Sequence, residues 1–126
     1  MNEGARAATA DELLFLHADA RLEDPGLLRA ALDFLRAERA RRGHGRVAGH
    51  FGLRFFGAKG SGTRYAFLEA KARRNLPGCV NGDQGQWLSR SFFEELGGFD
   101  ETLPFLEDAH LSEAVAKRGV WVALPG

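Results

Sequence analysis

The sequence predicts an α/β fold, and three observations carry the prediction. The run Leu13-Leu14-Phe15-Leu16 is apolar without a break, the form of a strand buried on both faces, as in parallel sheets. It ends on the polar His17-Ala18-Asp19, as expected where such a strand delivers side chains to a functional sheet edge. Helical stripes and short extended runs then alternate along the rest of the chain.

Element by element, residues 3–10 are alanine-rich and suit a short helix. Asp24 and Pro25 start a longer one, with Asp24 as N-cap and Pro25 in the first turn. Leu28, Ala31, Leu32 and Leu35 form its stripe, Leu27 and Phe34 widen the buried face, and Gly43 and Gly45 end it. From residue 47 to 55 the period becomes two. Val47, Gly49, Phe51, Leu53 and Phe55 share one face, and Ala48, His50, Gly52 and Arg54 the other, which predicts a half-exposed strand. Gly57, Gly60 and Gly62 make the next stretch pliable without the glycine-lysine-serine/threonine order of a phosphate loop. Tyr65, Phe67, Leu68 and Ala72 predict an amphipathic helix that stops before Pro77. Short extended segments follow at Cys79-Val80 and Gln86-Trp87-Leu88. Residues 91–96 form a short helix, with Ser91 and Glu94 at capping-box spacing. Residues 108–117 form the last helix, Leu111, Ala114 and Val115 inward, before a final strand at Val120-Trp121-Val122.

Composition narrows the classes. With 126 residues the chain is a single domain. Seventeen basic and seventeen acidic residues cancel, leaving no overall field to draw in nucleic acid or a membrane. The basic cluster Arg36, Arg39, Arg41, Arg42 and Arg46 fits a solvated helix end favoured by the helix dipole. One cysteine, Cys79, excludes an internal disulfide and a cysteine-based zinc site. No apolar run reaches the length of a membrane span and no signal peptide opens the chain. The expected address is cytoplasmic, with the inner membrane surface reachable through a partner.

Most of the chemistry sits in residues 82–108. Two glycine-bearing turns, at Gly82 and at Gly97-Gly98, precede Glu107-Asp108, an acidic pair placed between Phe105-Leu106 and Leu111. Charge amid apolar neighbours points to a partner, a metal or a reaction that uses it.

Leu14-Phe15-Leu16-His17-Ala18-Asp19-Ala20-Arg21-Leu22 resembles the strand and metal-binding motif of family 2-like glycosyltransferases of the GT-A fold. Gly82-Asp83-Gln84, Arg90, Gly97-Gly98-Phe99 and Leu106-Glu107-Asp108-Ala109-His110-Leu111 resemble the acceptor half of the same proteins, most closely a small bacterial subgroup whose strand ends in His-Ala-Asp. The resemblance implies a partial GT-A, Rossmann-like three-layer fold with a mixed, mostly parallel sheet. It implies a transferase moving a sugar from a nucleotide-diphosphate sugar to an acceptor hydroxyl, inverting and dependent on Mg²⁺ or Mn²⁺. Asp19 then matches the last acid of the metal motif, and His17 stands where the family has the first. Asp108 matches the catalytic base, with Glu107 beside it. Gly82, Asp83 and Gln84 match the loop that closes on donor and acceptor; Trp87, Arg90 and His110 join that donor and acceptor group.

These residue types suit the reaction. A sugar hydroxyl is a poor nucleophile, and a carboxylate within hydrogen-bond reach can take its proton. A carboxylate-held divalent cation offsets the charge of a departing diphosphate. Plainer readings stand beside these: Asp19 as a turn cap, Asp108 as a helix N-cap, His17 as a packed histidine, Trp87 as core, and Cys79 as a small buried hydrophobe. His50 and Arg54, on the polar strand face, could reach an acceptor or simply face water. A silent domain that keeps the fold for binding or scaffolding is the alternative function. A phosphoester enzyme with carboxylates around Mg²⁺ is a third.

Members of the family open with a βαβ unit that binds the nucleotide, and residues 1–5 resemble an internal helix instead. The resemblance thus makes residues 1–126 one domain carrying the metal-motif and acceptor-side portion. It leaves the strand at 13–16 with an edge that a homo-oligomer or a partner chain would cover, and little transferase activity in the chain alone.

Overall fold

In a computed structural model the described residues are 2–18, 20–22, 24–52, 62–75, 80, 84–99, 102 and 107–125, with backbone alone at 62–65 and 107–108. The elements in chain order are α1 (Asn2–Ala7), β1 (Glu12–Phe15), α2 (Gly26–Arg42), β2 (Val47–His50), α3 (Gly62–Ala72), β3 (Gln86–Ser89), α4 (Arg90–Glu95), α5 (Glu107–Arg118) and β4 (Val120–Ala123).

Helix α2 begins and ends through local chemistry. Asp24 accepts the amide of Gly26 at 2.8 Å through its carboxylate, so the aspartate caps from outside while Pro25 occupies the N-cap backbone position. Gly43 closes the helix at φ 75°, where a side chain would be strained, and returns its amide to the Arg39 carbonyl. Ala31 and Leu35 are fully buried, whereas Leu28, assigned to the same stripe, is exposed. Helix α4 is capped by Ser89, whose Oγ accepts the Phe92 amide at 3.1 Å. The expected cap, Ser91, is itself inside the helix.

The sheet has the order β1-β3-β2-β4. Strand β3 pairs antiparallel with β1 and with β2, and only β2 and β4 are parallel. This corrects the expected architecture: the sheet is mixed but mostly antiparallel, not the mostly parallel Rossmann-like sheet. The cause lies in the path between β2 and β3. The chain leaves through α3 and comes back to the edge where β2 finished, the Phe51 amide bonding the Gln84 carbonyl at 2.9 Å. Entering beside the end of β2, β3 has to run backwards. Strands β1, β2 and β4 therefore share one direction, with β3 reversed between the first two.

Helices pack on both faces. On one, Ala31 and Leu35 of α2 meet Val47, Phe51, Trp87, Val122 and Leu124. On the other, Ala5 of α1, Phe92 and Phe93 of α4, and Leu111 and Val115 of α5 meet Leu13, Phe15, Ala48, Leu88 and Trp121. Covered on both sides, β2 is buried at all four residues, so the half-exposed strand expected there is also corrected. Its continuation from residue 53 lies outside the described residues. Gly119, the single residue joining α5 to β4, passes so close to Arg46 that a Cβ would strike the Arg46 carbonyl oxygen and the Phe92 ring.

Candidate functional site

The direction of the strands decides where chemistry can gather. With β1, β2 and β4 co-directional, one sheet edge collects the ends of all three and the start of β3. His17 follows β1 there, His50 closes β2, and Gln84 and Gln86 lead into β3. Helix α5 reaches the same edge. It turns into β4 through Gly119 alone and runs back alongside it, as the Trp121 indole N–H bonding the Ser112 carbonyl at 3.0 Å records. Its first turn, Glu107 and Asp108, therefore begins near the end at which β4 finishes.

A buried polar cluster occupies this edge. His50, Gln84 and Gln86 are each at most 1 % exposed. The imidazole Nε2 of His50 lies 2.6 Å from Asn75 Oδ1, and its Nδ1 lies 3.2 Å from Gln84 Nε2. Both contacts are satisfied together when Nε2 carries the proton: it donates to Asn75, and Nδ1 accepts from the Gln84 amide. Gln84 also donates to the Ala72 carbonyl at the end of α3. The network ties α3, the end of β2 and the entry to β3 into one unit. Sequence placed His50 on a polar strand face. The polarity is real, but it is answered inside the protein by residues 25 and 34 positions away. Asn75 carried no sequence signal, being one exposed polar residue after two arginines.

The other residues implicated by resemblance are distributed as follows. Trp87 is buried on the α2 face, its indole N–H donating to Glu12 Oε2 at 3.1 Å. Glu12 also takes both terminal nitrogens of Arg39, a two-pronged ion pair with both side chains mostly buried. Arg90 gathers the carbonyls of Ala5, Ala8 and Ala10, fastening the segment between α1 and β1. His110 is exposed and shares an open cleft with Asn2, Arg6, Gly97, Gly98 and Phe99. Asn2 closes that cleft by exchanging two hydrogen bonds, each 2.9 Å, with the backbone of Phe99. His17 is half-buried at the strand end. Asp19, Gly82 and Asp83 lie outside the described residues, as does Cys79, and Glu107 and Asp108 are placed by backbone alone. Among the described residues no group of three histidine, cysteine, aspartate or glutamate side chains is arranged to hold a metal ion. No helix among them is long and apolar enough to cross a membrane.

Outside this edge two carboxylates are held below their ordinary range by neighbouring arginines. The hydrogen bond from Arg41 holds Glu38 below its ordinary range, against burial pushing it up, with Arg42 assisting. Arg46 does the same to Glu95. Both are internal ion pairs of the surface.

The chain matches no protein-family model and no curated protein.

Proposed function

We infer that this protein is a glycosyltransferase of the family 2-like kind, moving a sugar from a nucleotide-diphosphate sugar to an acceptor hydroxyl with inversion. One observation supports the reading: β1, whose end leads to His17, and β4, alongside which α5 runs, point the same way, so His17 and the first turn of α5 lie toward the same end of the sheet with β3 and β2 between them. Single displacement asks for a base on one side of the sugar and the diphosphate on the other, and in this reading Asp108 takes the first station and Asp19 the second. Asp108 takes the acceptor hydroxyl proton while the new bond to the anomeric carbon forms and the bond to the diphosphate breaks, the electron pair leaving with the phosphate. The partial positive charge at the helix start favours the ionised form of that base. Glu107 supports the acceptor, and the loop of Gly82, Asp83 and Gln84 encloses it, with Gln84 anchored by His50. Asp19 and His17 stand as the implied ligands for Mg²⁺ or Mn²⁺, whose contribution would be to offset diphosphate charge.

The test is transfer and calorimetric binding of UDP- and GDP-sugars with and without Mn²⁺. Asp108→Asn should lower kcat at least a hundredfold with donor affinity kept, whereas Asp19→Asn should weaken metal-dependent donor binding. Turnover unchanged in Asp108→Asn ends the reading. A silent binding domain is the second reading. It is favoured by the polar groups of Gln84, Trp87 and Arg90, which are all engaged with the protein itself. Absence of any sugar-nucleotide binding by the folded protein would select it.

A further inference from the structure

Helix α3 presents two different faces. Leu68 and Ala72 turn inward, Ala72 being 4 % exposed. Phe67 and Lys71, four residues apart, share one outward face of the helix, and Arg73 and Arg74 follow in the turn just past its end. Phe67 is 69 % exposed, and Lys71, Arg73 and Arg74 are exposed around it. Across residues 62–75 the sequence has four basic residues (Arg64, Lys71, Arg73 and Arg74) and a single acid, Glu69, in a chain whose total charge is zero. Among the described residues no ion pair engages Lys71, Arg73 or Arg74.

An isolated exposed phenylalanine is ordinary, and so is a basic helix end. Their coincidence at one helix end, with Lys71, Arg73 and Arg74 outside every ion pair among the described residues, is not explained by the fold. In the other basic cluster four of the five arginines are answered internally, Arg39 by Glu12, Arg41 and Arg42 by Glu38, and Arg46 by Glu95, while Arg36 has no ion pair among the described residues. We propose that the outward face of α3 is a docking surface for an anionic lipid bilayer. Phe67 enters the boundary between headgroups and acyl chains, and Lys71, Arg73 and Arg74 meet lipid phosphates, the division of labour of an interfacial amphipathic helix. A duplex would meet the cations but offer the exposed Phe67 ring no apolar phase to enter. This surface is independent of the transferase reading, since none of its residues serves that chemistry.

The experiment is co-sedimentation of the protein with phosphatidylcholine vesicles, with and without phosphatidylglycerol. Binding should require phosphatidylglycerol and weaken as salt is raised. Each cation contributes about fivefold to partitioning, so K71Q/R74Q should bind about 25-fold more weakly. F67S should also bind less while keeping its circular dichroism spectrum, and F67W should report insertion by quenching from brominated lipid. Equal binding by the wild type and K71Q/R74Q, or no binding to anionic vesicles, overturns the proposal. Displacement from vesicles by polyuridylate at lower concentration than by free lipid also overturns it, in favour of nucleic acid.

Discussion

Helices α2 and α3 flank the same strand, β2, and both end in basic residues, yet the protein treats them oppositely. Helix α2 buries Ala31 and Leu35 completely against the sheet and closes Arg39, Arg41 and Arg42 onto Glu12 and Glu38. Helix α3 is held at its end, by Ala72 and by the Asn75 and Gln84 contacts around His50, and leaves Phe67 and its cations outward. A basic helix end is therefore informative about partners only after its internal counter-charges have been traced. The same sequence pattern is structural in one helix and available in the other.

The comparison can be broken most directly in the core. Leu35→Ala should cost about 2–5 kcal/mol, the range for deleting a fully buried leucine side chain, read as a lowered urea midpoint. A loss below 1 kcal/mol would mean that α2 is not the anchored helix. Next comes Glu12→Ala, which strips Arg39 of its partner and the Trp87 indole of its acceptor. Its expected cost is about 1–3 kcal/mol, and a neutral outcome would show the clamp to be dispensable.

A smaller effect concerns pH. Because Glu38 is held low in the folded state by Arg41, its contribution is present above the ordinary carboxylate value of 4.5. That contribution is lost as pH falls through the depressed folded value. The stability advantage of wild type over Glu38→Gln should thus shrink between pH 7 and pH 3; an advantage independent of pH would remove the ion pair from the account. Smallest of all, Phe67→Ser should change stability by no more than about 0.5 kcal/mol. A larger loss would reveal that the ring packs against the protein and would erase the contrast with α2.

Local chemistry was legible in the sequence and pairing across distance was not. Asp24, Pro25 and Gly43 announce α2 because capping is decided within a few residues. Ser89 and Ser91 offer the same hydroxyl two positions apart, and only the placement of the preceding strand selects Ser89 as the cap. The direction of β3 was hidden, because it depends on where α3 returns the chain. An apolar run such as Leu13-Leu14-Phe15-Leu16 looks the same whether its neighbour is parallel or antiparallel. For the candidate site, the His50 cluster drew on Asn75 and Gln84, contacts to which a period-two pattern is blind. The acidic pair and the His17 segment stand out as unusual chemistry, but the strand order that sets β3 and β2 between β1 and β4 was not legible.

The insertion of β3 between β1 and β2 has a consequence for biosynthesis. Among the described residues β3 is the sole neighbour of β1, and it pairs Phe15 with Gln86. At 5–20 residues per second a ribosome needs roughly 4–14 s to add the residues separating them. Throughout that delay β1 waits without its β3 partner, a window in which a holdase chaperone or a neighbouring nascent chain can capture it first.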